Sequence, residues 1–291
     1  MGVFMNKLCV AIRSLNRVDY LKKCLQSLEK QVDLNADFWF FQDGAVNPYS
    51  GKRYATDEEI EASLQAFKDC KLPNKYIFQH KQNEGCLPQY FFQIDMLSHA
   101  YDYIASVPND LEFNKYYIKT LNTLFRQFED DPKVGILSSS FWCFNKNVQT
   151  LEEAKQMEDK VSYGYGYQTE QCFWAKKWPQ IRPHMKKYID LMMGHDYYLM
   201  LHNQSPSQEV RKQLKALYGN HPADYCLEQS VKLAGFTGLQ VRALRYRIIG
   251  AKGLYSFHSS LWEQQFKDVK MYDVGDVDKY IMIESIREDM K

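Results

Sequence analysis

Short apolar runs alternate with amphipathic stretches along most of the chain. LCVAIRSLNRVDYLKKCLQSLEKQ (8–31) begins as an apolar run, passes through a polar turn and continues with Leu21, Cys24, Leu25 and Leu28 at helical spacing. FWFFQDG (38–44) is a second apolar run, closed by an Asp-Gly turn, and a helix of about a dozen residues is expected from Asp57. YIFQH (76–80) is a third, followed by NEG and a further helix from Gln89, and IASVPNDLE (104–112) is a fourth. Strand and helix taking turns in this way predict an α/β fold with a doubly wound, mostly parallel sheet flanked by helices. Ligands of such sheets lie beyond the carboxyl ends of the strands. Those ends carry Arg13 to Arg17, Asp43, Asn83 to Gly85, and Asn109 to Glu112.

Composition narrows the class. With 291 residues, 45% of them hydrophobic and 15% aromatic, the chain can bury a large core. Its formal charge of +1 exerts no global pull on polyanions. The charge is uneven, however: residues 173–252 hold thirteen Lys or Arg against five Asp or Glu. No run reaches the roughly eighteen apolar residues of a membrane span, and the N-terminus lacks a cleavage-site pattern, so a cytoplasmic protein is expected. The seven cysteines are scattered without a CxxC pair, which points to neither a disulfide framework nor a zinc cluster.

The acids at 110 and 112 are the first candidate chemistry. Two carboxylates at the mouth of a buried strand can hold a divalent cation against a phosphate, although Asp is also common in plain turns. The segment FWAKKWPQIRPHMKK (173–187) is a second candidate, because interleaved aromatics and cations can stack bases and neutralise phosphates. Its alternative is a helix with aromatics in the core and a wet basic face.

Five segments carry a resemblance. AIRSLNRVDYLKKCLQSL (11–28) is similar to a first-strand motif of the form (I/V)R(T/S)xNRxxxLxxxLxSL, and PNDLEFNKYYIKTL (108–121) to an EDD or DxD motif in which Pro108 and Asn109 replace the first two acids. GILSSSFWCFN (135–145), YGYGYQTEQCFWAKKW (163–178) and ADYCLEQSVKLAGFTGLQVRALRYRIIGAKGLYSFH (223–258) resemble the later segments in order. Together they resemble the GT-A fold of inverting, family-2-like nucleotide-sugar glycosyltransferases. The resemblance implies a nucleotide-sugar-binding half (1–145) and an acceptor-binding, catalytic half (146–291) of one domain, with a C-terminal acceptor-side helical region.

It also implies roles. Asp110 would ligate Mn²⁺ or Mg²⁺, with Glu112 and His258 completing the set, and the metal would offset charge on the departing diphosphate. Arg13 would reach a phosphate or ribose, Asn16 and Arg17 would shape the first turn, and Asp43 would accept from a ribose or base edge. Asn83, Gly85 and Asn109 would line the donor, a UDP-sugar first among candidates. Asp224 is the implied general base, with Asp196 as its rival. The alternative for Asp224 is an N-cap of a helix over 225–234, and for His258 a polar loop residue. The expected activity is hexosyl or pentosyl transfer to a hydroxyl of a glycan or of hydroxymethylated DNA. Two rivals are a nucleotidyltransferase, whose Gly-rich loop RSLNR lacks, and a non-catalytic nucleotide- or glycan-binding protein of the same fold.

Overall fold

The computed structural model describes residues 7–141, 147–165, 169–201, 212–213, 222–251 and 259–284. Three strand–helix units and a fourth strand open the chain: β1 (Leu8–Ser14), α1 (Val18–Glu29), β2 (Asp37–Gln42), α2 (Asp57–Asp69), β3 (Lys75–Gln79), α3 (Cys86–Leu97) and β4 (Tyr103–Pro108). A short β5 (Leu111–Phe113) precedes α4 (Tyr117–Gln127) and β6 (Val134–Ser138). Then come α5 (Leu151–Gln156), β7 (Lys160–Tyr163), β8 (Gln171–Trp174), α6 (Trp178–Met192) and α7 (Tyr197–Leu201). The described elements end with α8 (Pro222–Leu233), β9 (Thr237–Val241), β10 (Tyr246–Ile248), α9 (Ser259–Gln265) and β11 (Ile281–Met282).

Nine of these strands form one sheet in the order β11-β7-β9-β6-β8-β4-β1-β2-β3. β4, β1, β2 and β3 are mutually parallel, β8 is antiparallel to both β4 and β6, and β9 is parallel to β6 but antiparallel to β7. β5 and β10 pair separately as an antiparallel ribbon. The fold is thus the mostly parallel, helix-flanked α/β sheet that the alternation predicts. In the C-terminal half β7, β8, β9 and β11 join the main sheet.

Period-2 alternation along β1 places Leu8, Val10 and Ile12 in one apolar layer and Cys9 and Ala11 in the other. α1, α2 and α4 cover the first face, whereas α3, α6 and α8 cover the second. The helical spacing in α1 does what it predicts: Leu21, Cys24, Leu25 and Leu28 are all buried. Each buried leucine contributes about 1.5–3 kcal/mol relative to exposure. α2 starts at a capping box in which Thr56 and Glu59 satisfy each other's backbone amides. α3 starts three residues earlier than the sequence pattern indicates, because Gly85 takes a left-handed φ of 83° and turns the chain into the helix at Cys86. Among the described residues no helix is long and apolar enough to cross a membrane.

The chain winds outward from β1 through β2 to β3 and returns to β4 on the opposite side of β1. The strand order therefore reverses between β1 and β4. A crevice opens at such a switch point, outside the carboxyl ends of the strands.

Candidate functional site

At that switch point the ends of β1 and β4 are bound together by one arginine. Arg17 donates through Nη1 to Asp110 Oδ2 at 2.7 Å and through Nη2 to Asn109 Oδ1 at 3.0 Å. Asn109 in turn donates from Nδ2 to Ser14 Oγ at 2.9 Å, so both edges of the crevice are tied. Burial opposes the Arg17 charge, but the charge and hydrogen bond of Asp110 outweigh it and hold the guanidinium above its ordinary pKa, with Tyr198 and Cys86 adding to the attraction. Arg13 stands on the other face of β1, its guanidinium 4.8 Å from the centre of the Tyr90 ring. Its Nε is buried without a hydrogen-bond acceptor, a costly state for a charged side chain unless a ligand completes it.

The end of β2 is built differently. Asp43 is 2% exposed and accepts from Gly44 N and Glu84 N at 2.9 Å each, from Gly85 N at 3.1 Å and from Asn83 Nδ2 at 3.0 Å. Burial is the larger influence and pushes its carboxyl up to about 7 against these donors. Asp43, Asn83 and Gly85 are thus brought together as one turn, with the carboxylate facing inward. Gly85 is required there twice over, by its φ and because a Cβ would run into the Tyr197 side chain. Next to Asp43, Gln42 is fully buried and donates to the carbonyls of Leu15 and Asp43, which leaves its Oε1 unpartnered.

A roof over this edge comes from the loop after β2 and from α7. Asp196 lies at the head of α7 and accepts from Tyr198 N at 2.9 Å and Leu199 N at 3.2 Å. Tyr54 OH donates to it at 2.9 Å, and Ser50 Oγ donates to its other face. Tyr54 also packs on Tyr198, and its carbonyl accepts from Asn16 Nδ2 at 3.1 Å. Asp196 therefore sits on the side of β1 and β2, clamped by four donors. Ser50, Tyr54 and Tyr198 escape a sequence reading, because only the folded chain brings positions some 140 residues apart into one cluster.

The acids expected to hold a metal are claimed by separate arginines. Glu112, on β5, pairs with Arg247 of β10 at 2.6 Å, through the ribbon register that sets the two residues opposite each other. Asp110 Oδ2 faces Arg17 and is backed by Gly250, where any Cβ would overlap it. Among the described residues no three His, Cys, Asp or Glu side chains gather closely enough to share a metal ion. A hard divalent cation asks for about six oxygen ligands, several of them from carboxylates, phosphates or water. The described donor set, one carboxylate already neutralised by a guanidinium, does not fit that demand. His258 lies outside the described residues.

In the segment 173–187, Trp174 and Trp178 are buried in the core, and the neighbouring cations are largely spent on acids. Lys176 pairs with Asp130 at 2.9 Å, Arg182 with Asp95 at 2.9 Å and Lys186 with Asp190 at 2.6 Å. Lys177 is buried and donates to the carbonyls of Asp131 and Val134. The segment 173–187 is therefore the end of β8, a short turn and the start of α6, with its aromatics in the core and a largely paired rim. Asp224 falls on the third residue of α8 rather than at its cap, since the helix begins at Pro222; its side chain lies outside what the structure describes. Glu170, which sequence reasoning passed over, is fully buried at the head of β8, where Ser139 donates to it from N and Oγ.

No family model matches the sequence, and no curated protein does. Solved glycosyltransferase structures are similar to it. The 1–349 fragment of S. aureus TarS shares 11% identity over 82% of this chain and 59% of its own, with a TM-score of 0.47. The mannosyltransferase PcManGT from Pyrobaculum calidifontis, in complex with GDP-Man and Mn²⁺, shares 9% identity over 81% of this chain and 54% of its own, with a TM-score of 0.44. An active-site mutant of LgtC shares 13% identity over 81% and 72%, with a TM-score of 0.39. The chain thus spans little more than half the length of the first two. At these identities the likeness is one of fold class alone.

Proposed function

We propose that the chain is an inverting glycosyltransferase that moves a sugar from a nucleoside-diphosphate sugar to a hydroxyl acceptor. The observation that carries this reading is the meeting of Arg17, Asn109 and Asp110 at the switch point between β1 and β4, where an open α/β sheet takes its ligand. An unpaired buried Arg13 Nε fits an anionic donor, and the Asp43 turn with Asn83 and Gly85 would present backbone to its nucleoside. A UDP-sugar is the first donor to try. No divalent cation is part of this reading.

In the transfer, the acceptor oxygen bonds to the anomeric carbon while the bond from that carbon to the phosphate oxygen breaks. The bonding pair leaves with the nucleoside diphosphate, and the acceptor proton goes to a carboxylate. Asp224 is the proposed base. Asp196 is ill placed for the task, because four donors already occupy its oxygens. A glycan is favoured over nucleic acid as acceptor, since the cations of 173–187 are largely paired with acids or carbonyls.

A thermal-shift panel of nucleotide sugars tests donor binding, because a ligand that binds only the folded state raises Tm by mass action. Turnover of the binding donor then separates an enzyme from a binding protein: release of nucleoside diphosphate supports transfer, and binding with neither hydrolysis nor transfer sinks it. Asp224→Asn should slow turnover by about 10²- to 10⁴-fold with donor affinity retained. Asp196→Asn is the control, and a dead Asp196→Asn beside an active Asp224→Asn would reverse the assignment.

A further inference from the structure

We propose that Arg17 supplies the positive charge at the donor's diphosphate that a divalent metal would otherwise supply, with Asp110 and Asn109 as positioning residues that aim its guanidinium. This rests on the glycosyl-transfer reading above. A departing nucleoside diphosphate gains negative charge as its bond to the sugar breaks, and a fixed cation already in place lowers the barrier without reorganising at that moment.

Three features of the crevice converge on Arg17. The guanidinium is held at the mouth by two contacts from one fork, Nη1 to Asp110 and Nη2 to Asn109, at 2.7 and 3.0 Å. That planar fork matches phosphate oxygens in pairs, which an ammonium does not. The seat a metal would need is taken: Asp110 Oδ2 lies between Arg17 and the bare Cα of Gly250, and Glu112 is turned to Arg247. A divalent ion entering at Asp110 would have to displace a like charge from its counter-ion. Finally, positions 108 and 109 are Pro and Asn, and Asn109 serves the arginine as an acceptor. That pair favours a guanidinium over a metal, because the amide oxygen suits an N–H donor and brings no charge.

Asp110 leaves the pair with Arg17 close to neutral before the donor arrives, and the diphosphate then competes with the carboxylate for the fork.

The test is calorimetry on the full chain with UDP, UDP-glucose, UDP-N-acetylglucosamine and GDP-mannose, each in EDTA and again in Mn²⁺. The nucleotide that binds should do so with the same Kd within about threefold in both conditions. Arg17→Met should weaken binding by about 100-fold, the usual loss when one partner of a close charge pair is truncated. Asp110→Asn should weaken it by less than Arg17→Met, since the amide oxygen still accepts from Nη1 but holds the fork less firmly than the carboxylate. Because Arg17→Met also strands the Asp110 charge, the double variant Arg17→Met/Asp110→Asn separates the two effects. Recovery of wild-type affinity in the double variant would mean that Arg17 merely neutralises Asp110, and would overturn the inference. Binding that needs Mn²⁺ and disappears in Asp110→Asn would also overturn it while leaving glycosyl transfer intact. If no nucleotide or nucleotide sugar binds in either condition, the transfer reading falls and this inference falls with it.

Discussion

Asp43 and Asp110 are the same residue type at equivalent places, each just past the carboxyl end of a parallel strand, and the fold uses them in opposite ways. Asp43 is closed off from solvent and takes four hydrogen bonds from the turn it organises. Asp110 is partly open, its side chain 14% exposed, and holds a guanidinium across the crevice. The first is a device for folding a turn whose partners are neutral amides. The second is a device for placing charge. What separates them is the neighbour the sheet supplies: β3 and its following turn stand beside β2, whereas β1 with Arg17 stands beside β4.

Removing each carboxylate is the most direct way to break this comparison. Asp43→Ala would leave several buried N–H groups without an acceptor, at about 1–3 kcal/mol apiece before relaxation. A total loss of about 3–5 kcal/mol in urea unfolding is expected. Asp110→Ala, by contrast, should cost about 1–2 kcal/mol, because its site is partly open and Arg17 can turn to water. Equal losses for the two variants would erase the distinction. Gly85→Ala should fall between them, at about 2–3 kcal/mol, since it forces a side chain into left-handed backbone and against Tyr197. A melt showing no loss there would mean that the Asp43 turn is not rigid.

Acidity sharpens the contrast further. The Asp43 carboxyl is pushed from 3.8 up to about 7 by burial, so the folded chain binds a proton there that the unfolded chain releases. Its contribution to stability is fully present below the unfolded value, is lost as pH rises through about 7, and is flat above that. Between those limits the decline should approach about 1.4 kcal/mol per pH unit. Urea melts from pH 5 to 8 on wild type and Asp43→Asn measure it directly; an unchanged slope in the variant would assign the effect to another group.

Much of the fold was written locally. The alternation of apolar runs and amphipathic stretches determined the doubly wound sheet, the spacing of Leu21, Cys24, Leu25 and Leu28 determined which face of α1 is buried, and Thr56 and Glu59 determined where α2 begins. These signals are readable because they act over two to seven residues, the reach of a strand alternation or a helical turn. That candidate chemistry gathers at strand ends was legible for the same reason. Partnership was not. Arg17 and Asp110 are 93 positions apart, Arg247 and Glu112 are 135 apart, and Asp196 meets Ser50 across 146. Asp110 and Glu112 read alike in the sequence as acids beside an apolar run, and only strand order and ribbon register decided that each would face its own arginine. A charge in a sequence states what a residue can do. Which opposite charge the sheet sets within 3 Å of it decides what it does, because electrostatic energy depends on distance in space and not along the chain.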